Sequence, residues 1–148
     1  MKKLFGVFAS LALVFALVGC VMGQGAKGYK SAKDQIVAAE QKDDAKAKVK
    51  FTGGQFVHVE AQTLSGSILG FSTSSDVKEG WYYKITYTVT SGEGKTTDST
   101  AYFYFEKGAD NATGDLLGAG FASWKDRVES KKAKGNVVNS GSILKKSL

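Results

Sequence analysis

The 148-residue chain contains no proline, one cysteine and one histidine. A lone cysteine closes no intrachain disulfide, and one cysteine with one histidine is too few for a cluster of those metal ligands. No serine stands in a nucleophile-elbow pattern. The nearest approach, Ser65-Gly66-Ser67, lacks the strand–turn–helix setting that such an elbow needs. His58 lies on the mixed face of an alternating segment, where a satisfied or solvated imidazole is commoner than a base. Glu60, Asp98 and Glu106 are carboxylates of a kind that any sheet carries. These absences lead us to expect no enzyme, no metal and no cofactor.

Charge of one sign is also sparse. The formal net charge is +6, and the densest run, residues 42–50, mixes lysines with aspartates. Lysines at 131–134 fall at the end of an expected helix, where cations suit the helix dipole. Both runs read as solvated surface, so no nucleic-acid partner is expected.

The one long apolar run stands at the start. Lys2 and Lys3 precede fifteen almost wholly apolar residues, 4–18, followed by Gly19. That order of a basic, an apolar and a small-residue region is the plan of a secretory signal. A membrane-spanning helix needs roughly 20 apolar residues, so the run is short for a permanent anchor. Leu17-Val18-Gly19-Cys20 resembles the lipobox of bacterial lipoproteins. The resemblance implies cleavage before Cys20, diacylglycerol on its sulfur and a further acyl chain, commonly palmitate, on the new amino terminus. Two or three acyl chains hold a protein to a bilayer where one does so only marginally. The expected location is therefore the bacterial cell envelope, anchored to a membrane through lipid on Cys20. Val21 stands where an inner-membrane retention aspartate would lie, which favours the outer membrane. Lipid on Cys20 also removes thiol chemistry from the mature chain.

Cleavage leaves 129 residues and a net charge of about +4. Three divisions are expected: signal peptide 1–19, lipid-anchored tether 20–28 and one globular domain 29–148. Gly23, Gly25 and Gly28 have the spacing of a dinucleotide fingerprint, but no strand precedes them, and a flexible tether is the reading adopted. Residues 29–46 then lack glycine and proline. They predict a helix over about 31–46 with a thin apolar face of Tyr29, Ala32, Ile36, Val37 and Ala39, only partly packed on the domain or else a solvated linker.

From residue 49 to 107 the apolar period drops to two. Trp81, Tyr83, Ile85, Tyr87 and Val89 alternate with Tyr82, Lys84, Thr86, Thr88 and Thr90, and residues 96–106 alternate again after Ser91-Gly92-Glu93-Gly94-Lys95. If 92–94 form a three-residue hairpin loop with Gly94 left-handed, Ser91 pairs with Lys95. Trp81 then faces Phe105, Tyr83 faces Phe103 and Ile85 faces Ala101. Every large apolar side chain falls on one face, and a one-residue slip would scatter them. Upstream, Val57, Val59 and Ala61 alternate with Phe56, His58, Glu60 and Gln62 in another strand. A fourth strand is placed at 67–73, before a polar loop at 72–80.

The opposite face of the hairpin sets Tyr82 beside Tyr104 and Lys84 beside Tyr102, followed by a ladder of hydroxyls. Tyr82, Lys84, Tyr102 and Tyr104 are the candidate ligand face, an aromatic platform for a small ligand or glycan. The plainer reading makes the tyrosines cross-strand pairs under a covering helix. Such a helix is expected at 115–134: Leu117, Phe121, Trp124 and Val128 share one face, Asp115 caps it and Gly135 ends it. The tail from residue 136 returns as a short strand.

The expected architecture is α+β: an antiparallel meander sheet of about four or five strands between an amino-terminal and a carboxy-terminal amphipathic helix. A small β-barrel capped by a helix is the alternative. The expected function is that of a non-enzymatic envelope lipoprotein with a structural, assembly or surface-exposed role, its partner an envelope or host protein. A ligand- or glycan-binding lipoprotein is the second reading.

Overall fold

The protein is described here from a computed structural model. It describes the backbone of residues 2–129 and 137–142, and the side chains of residues 23–127 other than residue 68. The fold is α+β. Helix α1 (Lys2–Asp43) leads into strand β1 (Lys48–Val59), a hairpin of β2 (Gln62–Ile68) and β3 (Phe71–Val77), and the long hairpin of β4 (Gly80–Thr90) and β5 (Thr96–Glu106). A two-residue strand β6 (Thr113–Gly114), helix α2 (Ala119–Glu129) and strand β7 (Val137–Ser142) follow. The main sheet is antiparallel with the order β6-β5-β4-β1-β7, and β2-β3 form a separate two-stranded sheet. That order is open, with β6 and β7 at its edges, so the barrel is not the fold.

The β4–β5 register is the one read from the alternation. Trp81 pairs with Phe105, Tyr83 with Phe103, Lys84 with Tyr102 and Thr88 with Asp98. Ser91 N–H donates to the Lys95 carbonyl at 2.9 Å, and Gly94 takes φ +87°, the left-handed conformation required by a loop of this length. Asp44, just past α1, holds the turn in place by accepting the Gly92 N–H at 2.6 Å and the Lys46 N–H at 2.9 Å. These two backbone donors hold the Asp44 carboxyl below its usual pKa, Gly92 contributing most.

Each face of the sheet carries a helix. On one, Tyr29, Ala32 and Ile36 of α1 lie buried on Trp81, Tyr83, Ile85, Tyr87, Phe103 and Phe105. The three- and four-residue spacing of those α1 side chains makes a narrow stripe, and the sheet below supplies the bulk. Full burial of an Ile or Phe side chain contributes about 1.5–3 kcal/mol, so this contact carries much of the core. On the other face, Phe121 and Trp124 of α2 bury Val57 and Val59.

Three expectations need correction. The stretch 20–28, expected as a flexible tether, is helical throughout, and Gly28 is buried. A Cβ on Gly25 would lie 2.9 Å from Trp81 Nε1, and one on Gly28 would overlap the Phe105 ring. Glycine there lets a helix approach two aromatic rings, and α1 runs to Asp43 and contacts the sheet from Gly25 to Glu40, whose carboxylate accepts the Tyr87 hydroxyl, rather than running over 31–46 on a loose face. Secondly, the strand expected at 67–73 and the loop at 72–80 are replaced by β2 and β3, which turn at Leu69-Gly70. The sheet is consequently no simple meander, because β4 returns beside β1 after this inserted hairpin. Thirdly, α2 starts at Ala119 rather than 115, and Leu117 is exposed instead of buried. Asp115 still caps the first turn, accepting the Gly120 N–H at 3.1 Å. Residues 130–136, with the end expected for this helix, lie outside the described residues.

Candidate functional site

The four residues of the candidate ligand face do share one face of the β4–β5 hairpin, as their register requires. Their surroundings answer what covers them. The amino-terminal end of α2 lies directly on two of the rings: a Cβ on Gly120 would come 2.5 Å from Tyr82 Cε1, and one on Gly118 would come 2.8 Å from the Tyr102 ring. Gly118 takes φ +63°, a backbone conformation that favours glycine. Phe121 meets Tyr102 with ring centroids 6.0 Å apart, and Tyr82 meets Tyr104 at 4.6 Å.

Electrostatics agree with packing. Burial raises the Tyr82 pKa and outweighs a hydrogen bond from Trp124 that favours the phenolate. Tyr104 is pushed up to about 12, chiefly by burial, with the charges of Tyr82 and Glu106 adding to it. Tyr82 and Tyr102 are therefore half-buried packing groups beneath the start of α2. Lys84 is half-buried opposite Gln55 and Tyr102.

Beyond the reach of α2 the hydroxyl ladder stays open. Thr52, Thr86, Tyr87, Asp98, Ser99 and Thr100 line a shallow hollow of about 450 Å³. Thr52 reaches it because a bulge between Phe51 and Gly53 re-aims the strand, and its Oγ1 lies 3.2 Å from Thr86 Oγ1. The sequence pattern contained the ladder on β4 and β5 but no signal for the bulge that adds Thr52.

A second polar group lies at the end of the sheet where α1 arrives. His58 is buried and stacks on Trp81 with centroids 4.8 Å apart. Its Nε2 lies 3.2 Å from Glu79 Oε1, and Lys107 Nζ donates to Glu79 Oε2 at 2.8 Å. Burial opposes the charged form of Glu79. Hydrogen bonds and charges from Lys107 and His58 outweigh it, and its pKa is lowered. His58 Nδ1 is enclosed with no partner among the described residues. The group of His58, Glu79 and Lys107 ties this end of the sheet together, with Lys107 N–H also donating to the Glu79 carbonyl at 2.9 Å. Glu79 and Lys107 lie in separate segments, and no spacing in the sequence marks them as its partners.

Among the described residues no three histidine, cysteine or acidic side chains are placed to share a metal ion. Cys20 is a residue of α1, five positions before Gly25, the first α1 residue whose contact with the sheet is described. No family model, curated protein or solved structure matches the chain.

Proposed function

We propose that the protein is a non-enzymatic, lipid-anchored envelope lipoprotein whose domain is held close against a membrane, the outer membrane being favoured, to act as a structural, assembly or surface-exposed component. The observation that carries this reading is the direct continuity of α1. Cys20 stands on the same helix that packs across the sheet from Gly25 onwards. At 1.5 Å per residue the acylated position is only about 7.5 Å from the packed helix, against about 17 Å for the same five residues extended. A domain so mounted has a fixed end towards the bilayer and presents its remaining surface to a partner.

Labelling with radioactive palmitate tests the anchor. The wild-type chain incorporates label, and Cys20→Ser incorporates none. Continued labelling of the variant would sink the assignment.

A specific observation also favours a second reading, a small-ligand or glycan-binding lipoprotein. The ligand surface is then the hydroxyl-lined hollow of Thr52, Thr86, Asp98 and Thr100 rather than the covered tyrosines. Its donors and acceptors suit a polyhydroxyl compound.

A further inference from the structure

Two of the four exposed large apolar side chains among the described residues sit together at the turn of the β2–β3 hairpin, the others being Leu116 and Leu117. Leu69 is 93% exposed and Phe71 76%. Leu69 takes φ +52° and Gly70 φ +82° in a two-residue turn closed by the pairing of Ile68 with Phe71. Asn or Asp meets that backbone requirement at less strain than Leu does. The tip thus carries a bulky apolar residue at a position where the backbone disfavours it.

The hairpin's composition and location bear on what it meets. Residues 62–75 contain no charged side chain, and the first, Asp76, is tied at the base by the Thr63 hydroxyl at 2.7 Å. Among the described residues of the hairpin, the hydrophobic side chains packed on the domain are Leu64 and Val77, near the base, while those from 65 to 76 are all exposed. The hairpin springs from the end of the sheet formed by His58 and Val59 opposite Trp81 and Gly80. That is the end at which α1 arrives, with Gly25 against Trp81. Strands of seven residues reach about 20 Å, ample to span the roughly 7.5 Å between Gly25 and Cys20.

We propose that the tip of this hairpin, Leu69-Gly70-Phe71, is a membrane-inserting finger that enters the headgroup region of the bilayer holding Cys20. The proposal rests on the lipid-anchor reading above. The occupant is lipid because the hairpin is rooted at the anchored end and its tip brings no ionised group to desolvate. Charge is not what draws it there. Lys27, Lys78 and Lys107 at this end face Asp110, Glu106 and Glu79 respectively. Insertion stops at the headgroups, since a two-stranded hairpin leaves open edges that hydrocarbon does not accept.

The test uses the full chain purified from membranes and reconstituted in phosphatidylcholine vesicles. Acylated Cys20 has no thiol, so Leu69→Cys or, as a depth reference, Ser74→Cys supplies the single site for an NBD label. With phospholipids bearing a doxyl quencher near the headgroup, the label at 69 loses most of its emission and the label at 74 little. Vesicle flotation with the 69 label still water-exposed overturns the finger and leaves the anchor standing. A blue shift at 69 without doxyl quenching means a protein covers the tip, and equal quenching at both positions means the hairpin lies flat; either overturns tip-first insertion. A chain that does not float removes anchor and finger together.

Discussion

Tyr29 carries a hydroxyl into the contact between α1 and the sheet without giving it a partner. Its ring packs against Tyr83 at 5.9 Å, and its oxygen is buried with no hydrogen bond among the described residues. Burial pushes its pKa up to about 12. An unsatisfied buried hydroxyl costs about 1–3 kcal/mol of desolvation, so Tyr29→Phe is expected to stabilise the protein by about 1 kcal/mol, read from the urea midpoint. Tyr83 offers the contrast, since its hydroxyl donates to the Gly25 carbonyl and the same change there removes a bond. Glu79 supplies a pH signature at this scale. Its folded pKa lies below the free value of 4.5, so its contribution is complete above about pH 4.5 and is lost as the pH falls through the lower folded value. Glu79→Gln is expected to cost about 1 kcal/mol at neutral pH, since Lys107 is half-exposed and screened, and to flatten the fall in stability under acid. Equal acid slopes for the two proteins would show that the carboxylate does not set the acid limb.

At the scale of elements, the long hairpin was legible and the short one was not, for one physical reason. Alternation marks a strand only when one face is buried. Trp81 to Val89 and Thr97 to Phe105 have such a face, and their pattern and turn length specify a single register. Residues 62–77 are exposed on both sides almost throughout, so nothing forces apolar residues into a period of two, and the serines and threonines look like a loop. The same logic governs the tyrosines. Their places on the sheet followed from register, whereas the cover over Tyr82 and Tyr102 depended on where Gly118 and Gly120 would bring a helix that follows β5 and β6 in sequence. Since α2 packs on those rings, Tyr82→Ala and Tyr102→Ala are each expected to destabilise by about 2 kcal/mol in urea unfolding, less than a fully buried aromatic loses. Lys84→Ala on the same face is expected to cost under about 0.5 kcal/mol, the behaviour of a surface substitution. Unchanged stability in the tyrosine variants would return the face to the pool of ligand surfaces.

For the whole molecule, the decisive feature is where the folded unit begins. A glycine-rich stretch has the composition of a flexible linker, and composition alone does not distinguish freedom from close approach. Gly25 and Gly28 are required here because Trp81 and Phe105 occupy the space a side chain would need. The packed part of α1 therefore reaches back at least to Gly25, and removing its first turns is expected to open the sheet. Further along, Ser31 Oγ accepts the Ala112 N–H at 3.0 Å and Gln35 Nε2 donates to the Ala112 carbonyl at 2.7 Å, so α1 also secures the loop that leads to β6. A chain beginning at residue 24 is expected to keep its urea midpoint. One beginning at residue 31, where the tether reading would have trimmed harmlessly, loses Tyr29, the Gly25 acceptor of Tyr83 and the cover over Trp81 and Phe105. Loss of one large buried aromatic alone costs about 3–5 kcal/mol, a large part of the 5–15 kcal/mol that a domain possesses. Tryptophan emission distinguishes the outcomes: the longer chain retains the blue-shifted spectrum of a buried Trp81, while the shorter one shifts to the red. Equal spectra and midpoints would mean that the helix before residue 31 is dispensable and that the domain is separable from its anchor after all.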